Sequence, residues 1–228
     1  PGHMNLNKKV ALQPASRVQE LRATLARKID RRMGRTEKLI TDVPGLSLHK
    51  RTGPTAPCAV AYVPGLVVMA QGRKQVELGQ NTFVYDESRY LLTSLDLPSI
   101  SQVLEASPQR PALAFSMKLE LSVVRELLMR EDVPVPEVAT DSPAMTTADV
   151  TEDLLDACCR LMDLLETPKD IPFLSGLIQR EIVYRILQRP EGARLRAITT
   201  NGEQSHRLAQ AIAQREMEPA VVIAAGFS

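Results

Sequence analysis

The chain has no Trp, and aromatic residues make up only 4% of its 228 positions, which excludes a face that stacks successive bases along a single nucleic-acid strand. Histidine is almost as scarce. A metal site built on neighbouring strands needs His and carboxylate ligands that converge, commonly His-x-His with a Glu and a further His nearby. The β-rich part of this sequence holds His49 alone; His206 lies far along the chain and His3 sits in the leading PGHM. No two-His site can be assembled there, and no cofactor is called for. The three Cys cannot all pair and lack metal-ligand spacing, which fits a reducing compartment. GxSxG, GxGxxG, GxxxxGK and CxxC are all missing, so the usual signatures of a nucleophile elbow, a dinucleotide fold, a P-loop and a dithiol centre are absent. No apolar run reaches the about 18 residues a membrane helix needs, and no signal-peptide core follows the start. The expectation is a cytoplasmic protein with no membrane partner.

What is present begins with enough apolar residue for a real core, 44% of the chain, in one large or two small domains. The formal net charge of +1 argues against a chain-wide footprint for a polyanion. That charge is uneven. Residues 1–38 carry ten Lys or Arg against three acids, a balance of +7, which leaves −6 for the remainder. The leading PGHM reads as a remnant of cloning before a natural start at Met4 or Asn5. Residues 14–33 open with a proline suited to a first helical turn and set Val18, Leu21, Leu25 and Ile29 on one face. The basic residues occupy the other faces, as a solvated surface or as a contact for an anionic partner.

From residue 39 to about 119 the chain breaks into short segments divided by Pro and Gly, with alternating stretches CAVAYV, KQVEL, TFVY and ALAFSMKL. These read as consecutive antiparallel strands. Phase then assigns faces. Lys118 should face water and turn Ala114 and Ser116 outward with it, leaving Leu113, Phe115, Met117 and Leu119 inward; Val76 and Leu78 face in, Gln75 and Glu77 out. A short helix is expected near 121–131, and prolines 134, 136 and 143 mark 132–148 as a linker. Thr151 or Asp149 can cap a helix whose stripe is Leu154, Leu155, Cys158, Leu161, Met162 and Leu165. A second follows at about 171–188, with Leu174, Leu177, Ile178, Ile182 and Ile186 on one side, so that the two make a helical hairpin. A third begins after Asn201.

Few groups could do chemistry. Tyr62, Tyr85, Tyr90, Asp86 and Asp96 could supply an acid-base pair in an open barrel, or could be core-edge tyrosines and turn aspartates. Cys158 lies on an apolar helix face as an inert thiol, with Cys159 about 100° round. Cys58 opens a strand in phase with Val60 and Tyr62, as packing or as a thiol offered to a ligand.

Taken together, PGLSLHKRTGPTAP, the Gln-Gly-x-Lys of Gln71, Gly72 and Lys74, the Leu-Gly of Leu78 and Gly79, Tyr90-Leu91-Leu92-Thr93-Ser94 and Asp96-Leu97-Pro98 resemble the N-terminal regulatory domain of a subgroup of AraC-type bacterial transcriptional regulators, over residues 39–210. The resemblance implies an α+β fold: a cupin-like antiparallel β-barrel or jelly roll with an N-terminal helix and a C-terminal helical hairpin. It implies a non-enzymatic domain that senses a small organic effector and forms a homodimer, with DNA read by a C-terminal pair of helix-turn-helix motifs. SHRLAQAIA resembles the start of the linker helix towards those motifs, yet only fifteen residues follow it, too few for one recognition helix-turn-helix. The expected layout is a basic N-terminal helix up to residue 38, the barrel over 39–131, a dimerisation and linker segment over 149–213, and a tail over 214–228. The expected pocket residues are Cys58, Tyr62, Met69, Tyr90, Leu92, Phe115 and Met117. A metal-free cupin-like isomerase or lyase, and an interaction module with a filled barrel, are the alternatives.

Overall fold

The computed structural model describes residues 14–133 and 143–200. Its first element is α1 (Pro14–Met33). Leu21, Leu25, Ile29 and Met33 recur every four residues and are all buried, so one stripe of this helix is driven onto the core. Gly34 ends it: at φ +53 it adopts the left-handed conformation favoured just past a helix, and its N–H donates to the Asp30 carbonyl at 3.1 Å.

Ten strands follow: β1 (Lys38–Ile40), β2 (Leu46–Arg51), β3 (Cys58–Tyr62), β4 (Gly65–Gln71), β5 (Arg73–Leu78), β6 (Asn81–Tyr85), β7 (Arg89–Thr93), β8 (Leu97–Glu105), β9 (Ala112–Lys118) and β10 (Met145–Asp149). They form two sheets, with strand order β1-β2-β9-β4-β7-β10 in the larger and β3-β8-β5-β6 in the smaller. Every pairing is antiparallel. The expected antiparallel architecture is therefore present as two sheets, which do not close into one hydrogen-bonded barrel among the described residues. The chain crosses from the larger sheet to the smaller at Gly72, between β4 and β5. There φ is +91, and a β-carbon would lie 2.7 Å from the Glu105 carbonyl oxygen and 2.9 Å from Ala112 Cα. Only glycine fits this corner without backbone movement.

The larger sheet is covered on both sides. Along β4 every residue from Gly65 to Ala70 is buried, the near-continuous apolar run of a strand with no solvent face. Helices cover one side: α1 packs on β2, β4 and β9, and α3 (Glu152–Asp163) packs along α1. Thr151 caps α3, its Oγ1 accepting from the Leu154 N–H at 3.4 Å, and the whole predicted stripe of α3 is buried. Ion pairs line the α1–α3 seam: Lys28 with Asp163, Arg31 with Glu166 at 3.2 Å, Arg17 with Glu152 at 3.8 Å. Exposed pairs of this kind contribute under about 1 kcal/mol each, so burial of the stripes holds the seam and the charges set its alignment.

Beyond α2 (Leu121–Leu128), two elements depart from the sequence reading. Residues 145–149, within the stretch taken from its prolines as linker, form β10 beside β7. Helix α4 (Ile171–Leu187) buries Ile182 and Ile186 as expected, but its first half reaches into solvent, with Phe173 75% and Leu177 51% exposed. Helix α5 (Ala193–Thr200) follows. Arg196 on α5 is buried, and its Nη1 donates to the carbonyls of Leu187 at 2.6 Å and Arg189 at 3.0 Å. A guanidinium thus satisfies carbonyls left open at the end of α4, where the helix dipole favours a cation. The expected helix after Asn201 lies outside the described residues.

The Gly72 corner gives a direct test of the fold. Gly72→Ala should destabilise the protein by about 2 kcal/mol or more, through strain and a backbone clash. Gly34→Ala has open space around its β-carbon and should cost only about 1 kcal/mol. Urea midpoints of the two variants measure the difference, and equal losses would contradict this corner geometry.

Candidate functional site

Residues paired across strands share a face, and the register divides the larger sheet into two unlike sides. Leu48 lies opposite Phe115, which lies opposite Val68, which lies opposite Tyr90. This large apolar row faces the helices. On the other side Ser47 lies opposite Ser116, and His49 opposite Ala114; Val67 joins Ser116, and Thr93 lies opposite Gly65. This row of small and polar residues faces the smaller sheet, whose inward residues include Val60, Tyr62, Lys74 and Val76.

Between the two sheets lies a cavity of about 290 Å³, near the lower end of the about 300–1,000 Å³ typical of small-molecule pockets. Ser47, His49, Val67, Thr93, Ala114 and Ser116 line one wall, Val60, Tyr62 and Lys74 the other, with Lys38, Val63 and Lys118 at the rim. Three lysines therefore border it, and no Asp or Glu does. Lys74 Nζ sits 5.7 Å from the Tyr62 ring centroid, a cation–π contact. Neither Lys38 nor Lys74 has a carboxylate partner among the described residues, whereas Lys118 reaches Glu120 at 3.6 Å. The Tyr62 hydroxyl is buried and has no hydrogen-bond partner; Tyr85 and Ser99, on the same inner wall, have hydroxyls in the same state. Burial and the neighbouring Tyr62 raise the Tyr85 phenol well above the ordinary tyrosine range, so it stays protonated.

His49 is half-buried, with its Nε2 3.3 Å from Ser47 Oγ. Burial, then the positive charges of Lys74, Lys38 and Arg51, lower its pKa to about 4. The imidazole is neutral at pH 7 and contributes a hydrogen-bonding group without charge.

The expected pocket residues split across the larger sheet and beyond it. Tyr62 lines the cavity, and Met69, buried beside it in the same inter-sheet layer, pairs with Ala114. Tyr90, Leu92 and Phe115 are buried on the opposite side, under the helices. Tyr90 lies near Arg189 and Glu191, and burial, with Glu191 next, pushes its phenol up to about 12. Met117 borders the cavity, although its pairing with Leu46 and Leu66 sets it in the helix-facing row. Cys58 is exposed at the start of β3, its Sγ 3.4 Å from the Ser101 carbonyl, and stands apart from the cavity. Ala114 and Ser116, expected to face water, face the cavity instead. The reason is that both sides of their sheet are covered, and Lys118 reaches solvent only because it ends the strand at the rim.

Ser47, His49, Lys74 and Thr93 were not anticipated. For Lys74 a signal existed: it is in phase with Val76 and Leu78, both buried, so the alternation already points it inward. The acid-base alternative does not assemble here, since Asp86 accepts from the Ser88 N–H at 2.8 Å and Ser88 Oγ at 2.6 Å in a surface turn, and Asp96 is exposed in another. Cys158 and Cys159 are buried, and burial raises both thiols, Cys159 to about 11, so they stay protonated and unreactive. No three His, Cys, Asp or Glu side chains among the described residues come together as a metal site, and no described helix is long and apolar enough to cross a membrane.

Comparison with known proteins gives a family match over residues 42–194 to the AraC-type transcriptional regulator N-terminus. A search of curated proteins finds no match. Among solved structures, the AraC-like transcriptional activator CuxR is 11% identical, with 62% of this chain and 51% of that one covered and a TM-score of 0.38. Unsaturated fatty acid-bound ToxT from Vibrio cholerae is 10% identical, with 80% and 73% covered and a TM-score of 0.41. An apo ToxT variant is 6% identical with a TM-score of 0.38; 60% of this chain is covered, and the match spans a little over half, 56%, of that chain.

The buried neutral His49 makes stability depend on pH. Because its folded pKa of about 4 lies below the ordinary 6.5, the unfolded chain takes up the proton first as pH falls. Stability is full above about pH 6.5 and declines between there and 4, by at most about 1.4 kcal/mol per pH unit. His49→Gln should flatten this decline. Urea unfolding from pH 7 to 4.5 measures it, and an unchanged slope in the variant would place the titrating group elsewhere.

Proposed function

Because the chain belongs to the AraC-type transcriptional regulator N-terminal family, a non-enzymatic one, we propose that it is the effector-sensing and dimerisation domain of a cytoplasmic regulator. The observation that carries this reading is the inter-sheet cavity, with polar groups from both sheets converging on it. A sandwich filled to native density would serve only as an interaction module. The effector is a small organic molecule, and DNA recognition belongs to the helix-turn-helix portion of such a regulator.

The mechanism follows from strand alternation. β4 turns Val67 to the cavity and Leu66 and Val68 to the helices, and β7 turns Thr93 to the cavity and Tyr90 and Leu92 to the helices. A molecule that fits one spacing of the sheets better than another favours the helix packing that accompanies it. A shift in helix packing is what an attached DNA-binding domain would feel.

Dimerisation is assigned to α4. Phe173, Leu174 and Leu177 lie on one exposed side of its first half, and an unpartnered apolar stripe of this kind suits a second copy packed about a twofold axis.

Native mass spectrometry of the protein as purified from cells should give a dimer carrying a small organic adduct that is absent from the denatured mass. Val67→Phe, which fills the cavity, should remove the adduct and keep the dimer, while Leu177→Glu should yield monomers that still carry it. A bare wild-type protein with an empty cavity after incubation with cell extract would count against sensing.

A further inference from the structure

Resting on the reading of the cavity as a sensor site, we infer that its ligand is a compact organic monocarboxylate, held at the carboxylate by Lys74 and the Tyr62 hydroxyl with its apolar body against Val60, Val67 and Ala114. Three independent observations lead there. The first is charge: Lys38, Lys74 and Lys118 border the cavity and no acid does. Lys74 is half-buried, faces inward between buried apolar neighbours, and has no carboxylate within ion-pair distance among the described residues. A partly desolvated ammonium in that position gains most from an anion brought in by a ligand.

The second is the Tyr62 hydroxyl, on a side chain only 9% exposed, which lines the cavity and has no hydrogen-bond partner. An unmade bond at a buried hydroxyl costs about 1–3 kcal/mol, and a carboxylate oxygen accepts from it directly. The Lys74 ammonium already lies against the face of that same ring, so cation and hydroxyl donor are offered from one wall. A carboxylate, with two oxygens in one plane, matches two donors. A phosphate, with more oxygens and more charge, would call for further donors such as arginines or a run of backbone N–H groups, and the lining has neither.

The third is size. At about 290 Å³ and roughly 30 Å³ of liquid volume per water-sized group, the cavity holds on the order of ten non-hydrogen atoms. A ring or short branched chain with one carboxylate fits, and a long acyl chain does not. Lys38 and Lys118 at the rim draw such an anion in, and neutral His49, Ser47 and Ser116 supply polar contacts along the opposite wall.

The test is calorimetric titration of the full chain with benzoate, phenylacetate and heptanoate, and with the corresponding neutral amides. The carboxylates should bind and each amide should bind at least about tenfold more weakly, as loss of a charge-assisted hydrogen bond predicts. Lys74→Met, which keeps the apolar stem, should lower carboxylate affinity about tenfold or more and leave amide affinity unchanged. Tyr62→Phe should lower carboxylate affinity severalfold, with circular dichroism showing both variants folded. Amides binding as well as acids, with binding abolished by Val67→Phe, would overturn the carboxylate assignment while leaving the sensor reading intact. Failure of both probe classes, together with no adduct on the purified protein, would overturn both.

Discussion

Burial of the larger sheet from both sides is the constraint on which the rest of the structure depends. Each strand of that sheet must satisfy two unlike neighbours with alternate residues. Towards the helices it presents Leu46, Leu48, Leu66, Val68, Tyr90, Leu92 and Phe115, all nearly inaccessible, and these interdigitate with the stripe of α1. Towards the smaller sheet it presents Ser47, His49, Gly65, Val67, Thr93, Ala114 and Ser116. Facing sheets pack about 10 Å apart, and side chains as short as Ser, Gly and Ala do not span their half of that distance. The cavity is the geometric result of small residues in one row of a two-faced sheet, and its polarity follows from the same residues.

The same division explains how much of the molecule could be read beforehand. Local rules carried the helices: the stripes of α1 and α3 and the Thr151 cap arise within the segment that forms them. Strand phase was equally legible, since Leu113, Phe115 and Met117 do share one side and Ala114 and Ser116 the other. What phase alone does not tell is which covered side meets helices and which meets a second sheet, because either partner buries its row. Lys118 misled for a physical reason, being a strand-end residue whose ammonium reaches solvent past the rim while the rest of its row stays enclosed.

The other differences have the same tertiary origin. Residues 145–149 lie close after Pro143 and gain strand structure only by pairing with β7, so nothing local distinguishes them from a loop. The first half of α4 carries an apolar stripe in its sequence that has no partner within this chain, and periodicity predicts burial without naming what does the burying. Lys74 shows the opposite case. Its inward phase could be read from Val76 and Leu78, and a lysine set among inward apolar positions is the kind of local conflict that marks a site with a purpose beyond packing.

The strands that couple the cavity to the helices also limit how strongly a ligand can act. A ligand shifts a two-state equilibrium only by the difference in its affinity for the two states, so contacts made equally in both add affinity without signal. Contacts from one wall alone are of that kind. A molecule anchored to Lys74 and Tyr62 on the smaller sheet while its body presses on Val67 and Ala114 of the larger one registers the distance between the sheets, because its own length is fixed. Val67 is adjacent in β4 to Leu66 and Val68, and cores packed at native density transmit such displacements rather than absorbing them. On this argument the signal originates in the bridging of the two sheets, and the ammonium on one wall gives the ligand the fixed point from which the other wall is measured.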